Sequence, residues 1–206
     1  MLLAVLGDCG GHADALESAL NAIAEEGILT IFQTGNLAGP QGVDRIAALL
    51  RDFGVKVCQG EKDRQLVRFE QKSGTFLKKM EPEEYDWLAS SHAALSSEGL
   101  EYLRGLPKRI ERGIDGVSML CCHGSPASQS EVIDEETAYT RLQRHRESST
   151  ADLLICGGAP QPFHRWVDGA LFVGPGALLA AQGQAQYTLV DTDAVPWVAR
   201  VMQVAC

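Results

Sequence analysis

Five short apolar runs, each stopping at a glycine-bearing turn, constrain this 206-residue chain more than any other feature. They are Leu2 to Leu6 before Gly7-Asp8, Ile28 to Gln33 before Thr34-Gly35-Asn36, and Val55 to Gln59 before Gly60-Glu61-Lys62-Asp63. Val117 to Cys122 before His123-Gly124-Ser125-Pro126 and Leu153 to Cys156 before Gly157-Gly158-Ala159-Pro160 complete the set. Unbroken apolar runs suit strands buried on both faces. Helix-length segments separate the first three. His12 to Glu26 carries Ala15, Leu16, Ala19, Leu20 and Ile23 at helical spacing and stops at Gly27, and Val43 to Phe53 stops at Gly54. Strand–helix–strand repetition implies parallel strands joined by crossover helices.

The second half changes pairing. Gly113-Ile114-Asp115-Gly116 reads as a hairpin turn ahead of Val117 to Cys122, and Asp168-Gly169 as another between His164 to Val167 and Ala170 to Val173. Tyr187 to Asp191 is the last expected strand. Arg64 to Arg112 is charged, with one helix near Glu83 to Ser90 and another from Ser96 or Ser97 to Leu103, and reads as helical cover with a mobile approach. Glu135 to Glu147 reads as a polar helix. One domain, residues 1–206, accounts for the whole chain.

Composition narrows the partners. Eighteen Lys and Arg against 27 Asp and Glu leave a formal charge of −9, and no window gathers a run of basic residues, so nucleic-acid and anionic-membrane binding are disfavoured. The apolar start lacks a basic lead and a cleavage site, which points to the cytoplasm. The six cysteines form no Cys-x-x-Cys pair and read as reduced thiols packing as small hydrophobes.

Ligands of parallel α/β sheets bind beyond the carboxyl ends of the strands, where Asp8, Asn36, Glu61-Lys62-Asp63, His123 and the Gly157-Gly158 turn converge. Three generic sites do not fit. Gly7-Asp8-Cys9-Gly10-Gly11-His12 lacks the dinucleotide spacing, Cys122 is followed six residues on by Ser128 rather than an anion-clamping Arg, and Ser125 lacks a Gly-x-Ser-x-Gly elbow.

In order and spacing, these tips resemble the calcineurin-like metallophosphoesterases, in particular the small bacterial and archaeal phosphodiesterase branch. That branch carries Asp-x-His-Gly-Asn, Gly-Asp, Gly-Asn-His-Asp, His-Gly-Ser-Pro and Gly-His-x-His-x-Pro. The matching stretches are Asp8-Cys9-Gly10-Gly11-His12, Gly35-Asn36, Gly60-Glu61-Lys62-Asp63, His123-Gly124-Ser125-Pro126 and Gly157 to Phe163. The resemblance implies a four-layer α/β/β/α sandwich of mixed sheets and a metal-dependent phosphoric ester hydrolase with two divalent ions.

Position by position, Asp8 and His123 are kept, the bridging Asp has become Asn36, the ligand Asn has become Glu61 and the leaving-group His has become Lys62. Gly10, Gly158 and Pro160 replace three histidine ligands and bring no donor atom. The resemblance therefore implies a degraded metal site, with Asp8, Asn36, Glu61 and His123 as the remaining ligands and Lys62, His123 and Asp8 as the catalytic residues. It holds no ion, or one weakly bound divalent cation (Mn, Zn, Mg or Fe). A hydroxide bridging two ions would not form without an anionic bridge, and lysine is a poorer proton shuttle than histidine at pH 7. The expectation is a weak or inactive phosphoesterase that works as a binding or regulatory protein. The alternative is a phosphomonoesterase or phosphodiesterase working with one ion at Asn36, Glu61 and His123.

Each residue also has a plainer reading. Asp8 can cap its own turn, Asn36 can be a turn residue, Glu61 and Lys62 can form a neutralising pair, and His123 can make a structural hydrogen bond. His12 reads as a surface residue at a helix start, and strand alternation turns Cys9 and Cys122 away from the cleft that Asp8 and His123 face. A phosphate-bearing small molecule is the expected partner, held by Lys62, His123 and the backbone N–H groups of Gly10 and Gly11. A homo-oligomer stays open.

Overall fold

The computed structural model describes residues 1–180 and 182–206. Strands β1 (Leu2–Leu6), β2 (Thr30–Gln33) and β3 (Lys56–Val57) are parallel, linked by helices α1 (Ala13–Glu25) and α2 (Asp44–Asp52). Four helices follow: α3 (Glu61–Val67), α4 (Phe69–Lys79), α5 (Pro82–Ala93) and α6 (Ser97–Gly105). Then come β4 (Arg109–Ile114), β5 (Val117–Cys122), α7 (Tyr139–Glu147), β6 (Leu153–Cys156), β7 (Pro162–Val167), β8 (Ala170–Pro175), β9 (Gln184–Asp191) and β10 (Val198–Ala205).

The strands form two five-stranded mixed sheets, ordered β10-β9-β1-β2-β3 and β4-β5-β6-β8-β7. Side-chain alternation along each strand stacks them. Leu3 and Val5 of β1 and Phe32 of β2 meet Met119, Cys121, Ile155, Leu171 and Val173 of the other sheet in an interior closed to water. Ala4 and Leu6 point the opposite way, onto Leu16, Leu20 and Ile23 of α1 and Ile46 and Leu50 of α2. Leu120, Leu154 and Phe172 face Leu142 of α7 on the far side. The result is the four-layer α/β/β/α sandwich that the resemblance implied. Each fully buried Leu or Phe adds roughly 1.5–3 kcal/mol of transfer free energy.

The sequence reading needs four corrections. Glu61-Lys62-Asp63 is the first turn of a helix rather than a loop tip, because Gly60 lies in extended backbone and its N–H donates to the Asp63 carboxylate three residues on. Helix α4 carries no stripe of core residues for the sequence to show, because none of its residues is fully buried. Strand β10 carries no buried run for the sequence to show, because it is an edge strand pairing β9 alone with half of its side chains exposed and the rest partly buried. Helix α7 begins at Tyr139, four residues after the expected Glu135, because Asp134 to Thr137 is taken up by a turn that Thr137 closes through both Asp134 groups.

Among the described residues no helix is long and apolar enough to cross a membrane. All six cysteines are free thiols, and Cys206 alone of them is exposed.

Candidate functional site

The site forms where the carboxyl ends of β1, β2 and β5 meet the first turn of α3. Gln33, the last residue of β2 and fully buried, ties the tips together: its Nε2 donates to the carbonyls of Gly7 and Gly35, each at 3.0 Å, and its Oε1 accepts the Gly35 N–H at 2.6 Å. Gly35 has φ +95°, and a Cβ there would lie 2.3 Å from the Gly60 nitrogen, so only glycine lets the β2 and β3 tips approach this closely. Asn36 follows with φ +55°, a conformation its short amide tolerates.

Asn36 is the hub. Its Nδ2 donates to Asp8 Oδ2 at 2.8 Å and its Oδ1 accepts the Lys62 backbone N–H at 2.8 Å. The amide orientation is fixed, since the Lys62 N–H must meet an oxygen. Asp63, fully buried, accepts three backbone N–H groups: Asn36 at 2.8 Å and Gly60 at 2.9 Å on Oδ2, and Leu37 at 2.8 Å on Oδ1. Asp63 thereby fastens the β2 tip to α3.

Asp8 Oδ1 is buried without a hydrogen-bond partner and lies 3.8 Å from His123 Nδ1. Burial pushes the Asp8 carboxyl above its ordinary 3.8, against the opposing pull of His123 and of the Asn36 amide. His123 is only 3% exposed, and its Nδ1–H donates to the Thr34 carbonyl at 2.8 Å. A carbonyl can only accept, so in the neutral ring the lone pair lies on Nε2.

The Lys62 ammonium forms an ion pair with Glu84 of α5 and lies 5.9 Å from the centroid of the Trp87 ring. Asp8, Asn36, Lys62, Glu84 and Trp87 line a cavity of about 490 Å³, with Gly10, His12, Ala38 and Leu179 among its other walls. A second cavity, about 360 Å³, opens on the His123 side and is lined by Arg64, Lys108, Arg109, Ser125 and Gln129 among others.

Asp8, Asn36 and Lys62 thus share one cavity, and His123 stands beside Asp8 as the wall of the next. Glu61 is half-exposed on the first turn of α3, outside the cavity that Asp8, Asn36 and Lys62 share, and Lys62 pairs with Glu84 rather than with Glu61. The backbone N–H groups of Gly10 and Gly11 do not face a ligand as expected. They donate to the carbonyls of Asn36 and Leu37, each at 2.9 Å, because the turn after β1 is stitched to the β2 tip. His12 is the exposed residue preceding α1, and it also lines the cavity that Asp8, Asn36 and Lys62 share. Cys9 is 1% exposed, and burial holds its thiol far above the usual range, so it does not offer a thiolate. Gln33, Glu84 and Trp87 went unassigned in the sequence. Asp63 was placed at the tip without a role, although an acidic residue three positions after Gly60 is a helix-start signal.

Two divalent cations side by side need an anionic bridging oxygen and about four N, O or S donors each. Asn36 turns the N–H end of its amide toward Asp8, and Gly10, Gly158 and Pro160 have no donor side chain. Gly158 has φ +83°, a conformation that L side chains rarely adopt, and a Cβ there would lie 3.2 Å from His123 Nε2. Among the described residues no three His, Cys, Asp or Glu side chains are grouped to hold an ion. These donors do not fit a dinuclear centre.

The calcineurin-like phosphoesterase superfamily domain matches residues 1–194, so the chain belongs to the calcineurin-like phosphoesterase superfamily. It is 24% identical over 185 residues to the uncharacterized protein MJ0912 of Methanocaldococcus jannaschii, an alignment covering 86% of this chain and 70% of that one. The crystal structure of hypothetical protein PH1004 from Pyrococcus horikoshii matches with a TM-score of 0.84 at 24% identity, over 99% of this chain and 88% of that one. A metallophosphoesterase from Sphaerobacter thermophilus matches with a TM-score of 0.75 at 19% identity, again over 99% and 88%. These likenesses establish the fold.

Proposed function

We propose that this protein keeps the phosphoesterase fold but works as a binding or regulatory protein for a phosphate-bearing small molecule, with little or no hydrolysis. One observation carries the reading. The residue at the bridging position, Asn36, spends its amide on a hydrogen-bonded link from Asp8 to the Lys62 backbone, where a carboxylate would have faced two cations. With no anionic bridge, the hydroxide that attacks phosphorus in the superfamily has no place to form. Lys62, paired with Glu84, is no substitute for a histidine near neutral pH.

The test is hydrolysis of an aryl phosphate and an aryl phosphodiester with added Mn²⁺. Turnover well under about 1 s⁻¹, the low end of ordinary enzymes, is expected. Turnover above that level, abolished in His123→Ala, overturns the reading.

A second reading keeps one divalent cation with Asn36, Glu61 and His123 as ligands, Asp8 orienting water and Lys62 steadying the phosphate, and it requires Glu61 to turn inward from its place outside the cavity of Asp8, Asn36 and Lys62. The unpartnered Asp8 Oδ1 favours it, because a buried carboxylate oxygen without a donor invites a proton or a cation. Elemental analysis of protein purified without chelator decides between the two: a stoichiometric ion that Glu61→Ala loses supports the second, and its absence removes it.

A further inference from the structure

The second cavity has a charge unlike that of the protein around it. In a chain of net charge −9, every charged residue lining it is a cation: Arg64 from α3, with Lys108 and Arg109 from the segment that opens β4. The fold brings these together because β4 runs antiparallel to β5, which puts Arg109 opposite Cys122, the residue before His123. Neither Arg64 nor Lys108 has an ion-pair partner among the described residues, while Arg109 Nε meets Glu111 at 2.9 Å. Gln129, held by donating to the Gln59 carbonyl at 2.7 Å, lies 3.5 Å from Arg64 Nη1 through its Oε1. Buried His123 forms part of the wall.

Like charges around one small concavity repel, and the low-dielectric walls focus their field. The cavity beside Lys62 lacks this character, because Asp8 and Glu84 line it too. Its nearby backbone donors at Gly10 and Gly11 are also committed. We infer that the Arg64, Lys108 and Arg109 cavity is an anion site that takes the phosphate or diphosphate group of a small molecule, on the opposite side of His123 from Asp8. Guanidinium groups suit the paired oxygens of phosphate, and Lys108 adds a point charge. The volume, about 360 Å³, lies at the small end of ligand pockets. This site holds whether or not the centre turns anything over.

Calorimetric titration with inorganic pyrophosphate at constant ionic strength tests it, since attraction between exposed charges is screened by salt. Arg64, Lys108 and Arg109 are all exposed, so neutral substitutions leave the fold intact. Saturable binding is expected, weakened about tenfold or more in the Arg64→Gln, Lys108→Gln double variant and unchanged in the Lys79→Gln, Arg200→Gln double variant, an equal charge change at exposed positions outside the cavity. No binding by the parent up to about 10 mM overturns the site, as does equal affinity in the double variant. Loss in Lys62→Gln with retention in the double variant overturns it too, by moving the anion to the other cavity.

Discussion

Gln33 gives the most direct test of how the site is assembled. Replacing it by leucine keeps much of the volume and removes a weak bond to Cys9 Sγ together with the three bonds to Gly7 and Gly35, leaving the Gly7 and Gly35 carbonyls and the Gly35 N–H without the partner they have now. A buried polar group left unsatisfied costs about 1–3 kcal/mol, and burying the added apolar carbon offsets part of that, so Gln33→Leu should cost about 4 kcal/mol. Gln33→Glu keeps the shape and reverses the chemistry, since a carboxylate oxygen then faces two carbonyl oxygens in a fully buried position. Its pKa in the folded state must lie above the unfolded value of about 4.3. The stability of this variant is therefore greatest below that value and is lost as pH rises through the folded pKa. Urea unfolding followed by circular dichroism at pH 5 and pH 8 separates the two variants: Gln33→Glu recovers toward pH 5, while Gln33→Leu keeps the same deficit at both. A deficit under about 1 kcal/mol for Gln33→Leu, below what one orphaned group costs, would refute the clamp. A Gln33→Glu deficit equal at the two pH values would refute the electrostatic half.

Three other outcomes follow. Asn36→Asp sets two carboxylates against each other, so the metal-free variant should melt below the parent, and millimolar Mn²⁺ should raise its melting temperature while leaving the parent's unchanged; an equal response contradicts the proposed loss of the bridge. Asp152 accepts the Ser118 hydroxyl at 2.6 Å and the Ser118 N–H at 3.0 Å, which hold its carboxyl below the usual 3.8, so its stabilisation is present above that value and lost as pH falls through the lower folded pKa. Asp152→Ala should therefore trail the parent in urea unfolding at pH 7 by more than at pH 3. Tyr102 and Tyr187 are both pushed up to about 12, chiefly by burial, so ultraviolet titration should show a late ionisation near pH 12 that Tyr102→Phe and Tyr187→Phe each diminish.

The fold was legible because its signals are local and apolar. Leu2 to Leu6 and Val117 to Cys122 are strands over the expected residues, and α1 buries the five residues its spacing named. What the sequence hid was polar. Helix α4 rests on partly buried Phe69 and Phe76 rather than on a stripe of core residues, and β10 alternates on an exposed edge. At the site, Asp8, Asn36, Lys62 and His123 could be placed from the ends of their runs, but their bonding could not. The Asn36 link depends on which backbone N–H reaches it, and Lys62 finds its anion 22 residues away on α5. Long-range polar pairing leaves no period in a sequence. The same holds for the cationic cavity, whose Arg64 and Lys108 are far apart in the chain and meet only because β4 doubles back on β5.

The charges of buried Asp63 and partly buried Asp8 connect these features. Two cations would ordinarily neutralise acidic side chains crowded at such strand ends. Here the chain answers with protons on nitrogen: three backbone N–H groups on Asp63 and an amide on Asp8 Oδ2. Asp8 Oδ1 is the one carboxylate oxygen of the pair left over, and it faces the His123 ring. Negative charge there discourages a phosphate from settling against Asp8, so an anion is better accommodated beyond the imidazole, where Arg64, Lys108 and Arg109 are. The ring then separates an acidic side from a basic one. In an ordinary enzyme of this fold the phosphate and the acidic residues share cations. On the proposed reading the two are kept apart in this chain, and a phosphate group is retained rather than attacked.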